Sequence, residues 1–107
     1  MSIQIEQNNG LTIVRILTDS VDALSATEIE AAAPQLRERT ALDFGKVLFI
    51  NSAGISALLK LVIEARKQGK KLYALNVTAH LRKVSEMVDM LRYMPLTTLE
   101  ELQATTT

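Results

Sequence analysis

The segment Val47-Leu-Phe-Ile-Asn-Ser-Ala-Gly-Ile-Ser-Ala-Leu58 joins an apolar run to the start of an amphipathic helix. Its first four residues predict a buried strand or extended segment, and the run stops at the small polar residues Asn51 and Ser52. Apolar residues then follow on one helical stripe: Ile55, Leu58, Leu59 and Val62. Gly69 and the basic residues just before it are typical of a helix C-terminus. The segment therefore predicts a strand-to-helix unit with polar residues at the junction.

The first residues of the chain predict a β-hairpin. Ile3 and Ile5 alternate with polar residues, and Leu11-Thr-Ile-Val-Arg-Ile-Leu17 is a second strand-like run. Asn8-Asn-Gly10 lies between the two runs and is typical of a tight turn. We therefore expect the chain to open with two antiparallel strands.

Two features delimit the first predicted helix. Ser25-Ala-Thr-Glu28 has the spacing of a capping box, in which a hydroxyl and a carboxylate satisfy free N–H groups at the helix start. This spacing predicts a helix that begins near Ala26. Pro34 removes a backbone hydrogen bond and clashes with the preceding turn, so we expect the helix to kink or end there.

Strands and helices alternate along the rest of the chain. Thr40-Ala-Leu-Asp-Phe44 and Leu72-Tyr-Ala-Leu75 have the composition and length of strands, and Thr78 can cap a helix. That helix carries apolar residues on its inner face: Leu81, Val84 and Val88. Pro95 limits Tyr93-Met94 to a short edge strand, because proline cannot donate to a sheet.

The last elements complete the prediction of an α/β fold. Thr98-Leu-Glu-Glu101 is a second capping-box pattern and predicts a short final helix, followed by a disordered tail at 104–107. Helices between strands indicate right-handed crossovers onto one sheet. We expect a mixed, mostly parallel sheet of about four to five strands with about three to four helices. The 107 residues are predicted to form a single domain, 1–107, with its core at about 3–103.

Composition excludes several classes of function. The chain has 12 basic and 12 acidic residues and a formal net charge of zero, so it lacks the electrostatic footprint of a nucleic-acid binder. It has no cysteine and 1 histidine, which excludes Cys–His nucleophiles and cysteine-based zinc sites. The glycines are too scattered for a phosphate-binding loop. We expect no cofactor, no metal ion and no nucleic-acid partner.

The sequence also indicates where in the cell the protein is expected. The first residues lack the basic and apolar regions of an export signal, and the longest uncharged stretch, 47–59, is too short to span a membrane. We therefore expect a cytoplasmic protein without direct membrane insertion.

Candidate catalytic side chains are few. A Ser-His-Asp triad would have to use His80, which is better explained as a solvated surface residue beside a helix cap. Asp19, Asp22 and Asp43 lie near strand ends, where two of them could form an acid/base pair, although solvated carboxylates are the simpler explanation. We expect no catalytic residue, and a small enzyme is the least favoured class.

Ser52 has a physical property that suits regulation. It lies at the predicted N-terminus of the clearest helix, where unpaired N–H groups and the helix dipole favour an anion. A phosphate there would add about two negative charges to a local surface. The simpler alternative is that Asn51 or Ser52 only caps the helix and that Gly54 only permits close packing. Physical reasoning leaves both interpretations open.

The segment from Ala41 to Leu58 resembles the signature of STAS domains, the family of the bacterial anti-sigma factor antagonists. The family pattern is a strand of the type V-L-D-L, a short apolar segment, and then D-S-[ST]-G-[IL]-x-x-L. Asp22-Ala-Leu-Ser-Ala-Thr-Glu-Ile29 is similar to the family's D-x-x-[ST]-A-x-x-L helix start. The resemblance extends over nearly the whole chain and implies the STAS fold.

The resemblance also implies partner switching. In the family, the serine after the motif's aspartate is phosphorylated by an anti-sigma factor that is itself a serine kinase of the histidine-kinase-like ATPase type. A serine phosphatase reverses this reaction. On this chain that serine is Ser52, and Ser56 is the second candidate. The unphosphorylated domain binds the kinase, and the phosphorylated domain releases it. The implied partner-binding residues are Asp22, Asn51, Ser52, Ala53, Gly54 and Ser56.

Departures from the pattern keep a second function open. Asn51 replaces the motif's aspartate, Ala53 replaces its hydroxyl residue, and Asp19 lies where the family usually has glycine. The first two favour a STAS domain that is not phosphorylated, such as the adaptor subunit of a lipid-transport ABC system or a stress-signalling scaffold. The expected binding surface also includes the near end of the helix capped by Thr78. Three methionines could extend it, although core packing is their simpler explanation: Met87, Met90 and Met94.

Overall fold

The computed structural model of the chain describes residues 3–8, 10–87 and 90–104. The strands are β1 (Ile3–Asn8), β2 (Leu11–Ile16), β3 (Ser20–Val21), β4 (Arg39–Asp43), β5 (Phe49–Ile50), β6 (Lys71–Leu75) and β7 (Leu96–Thr97). The helices are α1 (Ala23–Ala31), α2 (Ser52–Lys67), α3 (Ala79–Met87) and α4 (Leu99–Ala104). Short 3-10 turns lie at Ala33–Gln35 and Met90–Arg92.

Most strands form one mixed sheet with the order β1-β2-β4-β6-β7. β1 and β2 are antiparallel and the other neighbours are parallel, which confirms the predicted α/β class. The hairpin is also confirmed, because Asn8 pairs with Leu11 and Gly10 has a φ of +80°. Asn9 of the predicted turn lies outside the described residues.

The sheet is buried on both faces. Consecutive residues of β2 alternate between two apolar clusters: Ile13 packs with Leu102 of α4, and Val14 packs with the core side chains of α1 and α2. The same alternation in β4 places Ala41 on one face and Leu42 on the other. Burial on both faces explains why the strands are nearly continuous apolar runs.

Helix α2 has the predicted extent and orientation. Leu58 and Val62 are buried, Ile55 and Leu59 pack partly against the core, and Gly69 follows the helix with a φ of +72°. The start of α3 is also as predicted, because Thr78 Oγ1 accepts from Leu81 N–H at 3.3 Å. The side chain of Val84 and the whole of Val88 lie outside the description. The predicted disordered tail at 104–107 is wrong at Ala104, which is the last residue of α4, and residues 105–107 lie outside the described residues.

The predicted start of α1 is wrong by three residues. Asp22 is the N-cap: its side chain accepts from Leu24 and Ser25 N–H, and Ser25 Oγ accepts from Asp22 N–H at 2.8 Å. The capping box is therefore Asp22 with Ser25, and Ser25 does not form one with Glu28. The helix ends at Ala31, ahead of Pro34, as predicted.

The predicted strand at Tyr93-Met94 is also misplaced. Both backbone N–H groups donate to Met90 O at 3.0 Å in a turn. Pairing with β6 begins one residue later, where Pro95 O accepts from Ala74 N–H, and β7 follows. Met94 and Met90 are each 1% exposed, so they fill the core and do not extend a surface patch. The side chain of Met87 lies outside the description.

The second predicted capping box is half formed. Thr98 Oγ1 accepts from Glu101 N–H at 3.2 Å, but the Glu101 carboxylate accepts from Thr97 Oγ1 at 2.9 Å. One hydroxyl still suffices to begin α4 at Leu99.

Candidate functional site

A two-stranded ribbon places two helix N-termini side by side. β3 and β5 pair in parallel, with Val21 opposite Ile50. The next residue after each strand is an N-cap: Asp22 begins α1, and Asn51 begins α2. Asn51 N–H also donates to Val21 O at 3.2 Å. The ribbon therefore brings Asp22 and the Asn51–Ser56 segment to one edge of the molecule, as the sequence predicted.

Gly54 is required by the close approach of α2 to this ribbon. A Cβ atom on Gly54 would lie 2.2 Å from Val21 O and 2.8 Å from both Ile50 Cγ1 and Val21 Cγ1. The first of these atoms belongs to the backbone of β3 and has little freedom to move. The first turn of α2 can therefore lie against β3 only if residue 54 has no side chain.

Asn51, and not Ser52, caps α2. Asn51 Oδ1 accepts from Gly54 N–H at 3.0 Å, and Asn51 has an extended backbone. Ser52 is the first helical residue, and its side chain is exposed. Ser56 is exposed one turn further along, and Ala53 is half-buried. The capping role is therefore filled without the Ser52 hydroxyl, which faces solvent.

Exposed apolar side chains surround the two caps. Leu48, Phe49 and Leu24 are 61%, 53% and 75% exposed. The sequence predicted the run from Val47 to Ile50 as buried, and this is correct only for the two end residues. Among the described strands, β5 pairs only with β3, so it lies at the edge of a two-stranded ribbon, where Leu48 and Phe49 stay exposed.

We call the solvent-accessible residues at this edge the cap surface. It consists of the half-buried Asp22 and six exposed residues: Leu24, Leu48, Phe49, Asn51, Ser52 and Ser56. α3 also contacts β5, so this helix lies next to the cap surface. Exposed apolar side chains around a polar centre are typical of a protein-binding surface.

Asp22 supplies a fixed negative charge beside α2. The backbone N–H of Ser25 donates to the carboxylate and holds the pKa of Asp22 below its ordinary value, and the N–H of Leu24 adds to this effect. Hydrogen bonds to the charged form have this consequence because protonation would weaken them. Asp22 is therefore ionised at neutral pH.

The lowered pKa gives a prediction for acid unfolding. A carboxylate with a lower pKa in the folded state stabilises the fold above its unfolded pKa, and this contribution is lost as the pH falls through the folded pKa. As the pH falls below about 4, the free energy of unfolding should therefore fall more steeply for the wild type than for Asp22→Asn. Urea unfolding at several pH values measures this difference, and parallel curves would contradict it. Asparagine can still cap α1, so the variant remains folded.

Among the other candidate catalytic groups, Asp43 has a structural role. Asp43 Oδ1 accepts from Gly45 N–H at 2.9 Å and from Asn76 Nδ2 at 3.0 Å, so this carboxylate holds two turns together. Asp19 and His80 are exposed. Within the described ranges, no group of three or more His, Cys, Asp or Glu side chains could hold a metal ion. None of the described helices is long and apolar enough to cross a membrane.

The fold and the cap surface define a small α/β domain with exposed apolar side chains beside two helix N-termini. The chain belongs to the STAS domain family: the family model described as "Mlab, STAS domain" matches residues 12–99. This confirms the resemblance found in the sequence. No curated protein matches the chain.

Solved structures share the fold at low sequence identity. An anti-sigma-factor antagonist (STAS) domain protein from Planctomyces limnophilus is 16% identical, with a TM-score of 0.80 over 98% of this chain and 97% of that one. The Bacillus protein SpoIIAA in its phosphorylated form is 21% identical, with a TM-score of 0.75 over 98% and 99% of the two chains. A sulfate transporter family protein from Wolinella succinogenes is 15% identical, with a TM-score of 0.75 over 91% and 84%. The comparison confirms the STAS fold.

Proposed function

We propose that this STAS domain is an anti-sigma factor antagonist that acts by partner switching through the cap surface. Its unphosphorylated form binds an anti-sigma serine kinase of the histidine-kinase-like ATPase type in the cytoplasm, and phosphorylation of Ser52 releases that kinase. A serine phosphatase restores the binding form. The observation that carries the proposal is the exposed Ser52 hydroxyl, which α2 does not use as its cap.

The exposed apolar residues support the binding half of the proposal. Leu48 and Phe49 flank the start of α2 and are more than half exposed. Burial in an interface removes such surface from water, and a central aromatic side chain is a frequent anchor of binding energy. A partner that covers these residues also covers Ser52, because Ser52 follows Phe49 by three positions at the same edge.

The position of Ser52 supports the switching half. At the first turn of α2, a phosphate would be stabilised by free N–H groups and by the helix dipole, so the domain itself tolerates the modification. In an interface the same phosphate would have to be desolvated, beside the ionised carboxylate of Asp22. Phosphorylation should therefore weaken binding while leaving the fold intact.

The second candidate function is an adaptor that is not phosphorylated, within a lipid-transport ABC system or a stress-signalling scaffold. Two substitutions favour it. Asn51 places a neutral amide before Ser52 where the family motif has a carboxylate, and Ala53 offers no second hydroxyl. In this alternative, the cap surface binds a partner constitutively.

Phosphate mapping distinguishes the two functions. We expect mass spectrometry of the protein isolated from its source cells to find phosphate on Ser52, because this hydroxyl is exposed and free of the capping role. Ser56→Ala should leave that phosphate in place, and Ser52→Ala should remove it. Phosphate on Ser56 alone would contradict the assignment of Ser52. A chain that carries no phosphate under any growth condition, although it still binds a partner, would support the adaptor.

A further inference from the structure

Two adjoining clefts lie at the end of α2 opposite the cap surface. They share the side chains of Val62, Arg66 and Tyr93, and have volumes of about 240 Å³ and about 560 Å³. Arg66 and Ser52 are separated by 14 residues of one helix, which corresponds to about 21 Å. The clefts are therefore a separate feature that the proposed function does not use.

The smaller cleft has an apolar floor. Val62, Ala65 and Leu72 line it and are at most 3% exposed, so the base of the cleft is formed by apolar side chains of the core. Tyr73 and Pro95 add further apolar surface at its sides. Such a surface favours an apolar group over a fully hydrated one.

The rim of the clefts is cationic. Arg66, Lys70 and Lys71 line the smaller cleft, and Lys67 joins Arg66 at the larger one. Lys70 Nζ donates to Leu36 O at 2.7 Å, which fixes its ammonium group in place. The described lining residues include no aspartate or glutamate. The clefts therefore combine an apolar floor with unneutralised positive charge.

Arg66 and Tyr93 form a rigid boundary between the clefts. The Arg66 guanidinium lies over the Tyr93 ring, 4.5 Å from its centroid. The guanidinium groups of Arg66 and then Arg92 interact with the phenol and lower the pKa of Tyr93. Stacking orders the Arg66 side chain without using all of its N–H donors, so it remains able to bind a carboxylate or a phosphate.

We propose that these clefts bind a small amphipathic anion, in which a carboxylate or phosphate head is joined to an apolar chain. The head lies among Arg66, Lys70 and Lys71, and the chain lies on Val62 and Leu72. This site gives the domain a second input that is independent of Ser52.

Tyrosine fluorescence gives a direct test with decanoate as the probe. The chain has 2 tyrosines and no tryptophan. Tyr93 stacks on Arg66 at the clefts, whereas Tyr73 also packs against the cluster that contains Leu102, so the change on binding should come mainly from Tyr93. We expect a saturable change with decanoate. Decanol has the chain without the charge and acetate has the charge without the chain, so each should bind at least about tenfold more weakly. Equal binding of decanol would overturn the proposal.

Three single-residue variants test whether the clefts themselves, and not the general surface charge, bind decanoate. Arg66→Gln should weaken decanoate binding about tenfold, and Lys71→Gln, which keeps the Arg66–Tyr93 stack, about threefold. Lys60→Gln is the matched control, because Lys60 is an exposed cation of the same helix that faces Glu30 at 3.6 Å and should have no effect. Equal effects of Lys60→Gln and Arg66→Gln would overturn the proposal, as would binding to phosphatidylglycerol vesicles without binding to dissolved decanoate.

Discussion

Gly54→Ala is expected to cost about 3 kcal/mol of the free energy of unfolding, because the new methyl group has no space. It would lie 2.2 Å from the carbonyl oxygen of Val21, a backbone atom of the paired ribbon. To remove this clash, the first turn of α2 must move away from β3. That movement breaks the contact that aligns the two helix caps. Urea unfolding followed by circular dichroism measures the loss. A variant that is too unstable to purify folded agrees with the same expectation.

Gly45→Ala is the matched control for this prediction. Its new methyl group would lie 3.1 Å from Asp43 Oδ1, a side-chain atom that can shift by a few tenths of an ångström. We expect a cost of about 1 kcal/mol or less. Similar losses for the two variants would show that α2 does not pack against β3 as closely as described.

Ser52→Asp is expected to weaken binding of the partner kinase about a hundredfold, while Ser52→Ala binds like the wild type. The added carboxylate would lie inside the interface beside ionised Asp22, so it costs both desolvation and repulsion. The fold should be unaffected, since Ser52 is exposed and an acidic residue is favourable in the first turn of a helix. Isothermal titration calorimetry with the purified kinase gives the three affinities.

Ser56→Asp tests whether the position of the added charge, and not the charge alone, weakens binding of the kinase. It adds the same carboxylate to an exposed residue of α2, one turn further from the ribbon. A smaller effect than that of Ser52→Asp is expected, since the interface centres on the caps. A larger effect would move the switch to Ser56.

The regular part of the fold could be predicted because its signals are local. Val14 and Ile13 alternate between two buried faces, and Leu58 and Val62 repeat with the period of a helix. These patterns identified the hairpin, the central strands and α2. β3 was missed, since Ser20–Val21 is two residues long and has no periodicity.

The missed ribbon explains two further errors. Pairing of β3 with β5 keeps the chain extended as far as Val21, which makes Asp22 the cap and Ser25 its partner. The sequence allowed either this capping box or the one with Glu28, and tertiary pairing selects between them. The exposure of Phe49 has the same origin, because an apolar run does not show whether a second layer covers it.

The sequence predicted which residues would meet at the candidate site, but it did not predict which of them caps α2. Physical reasoning placed Asn51 and Ser52 at a helix start, and the resemblance to STAS domains added Asp22. Neither could tell which polar residue caps α2, because both types are good N-caps. The backbone position resolves this: Asn51 is extended and bonds Gly54 N–H, which leaves Ser52 exposed.

The central claim is that Ser52 controls which partner the cap surface holds. The most direct measurement is capture from a lysate of the source organism with three baits, wild type, Ser52→Ala and Ser52→Asp, followed by mass spectrometry of the captured proteins. We predict that wild type and Ser52→Ala retain a histidine-kinase-like ATPase and that Ser52→Asp loses it. Retention of one transporter ATPase or scaffold by all three baits would contradict the switch and identify the domain as an adaptor.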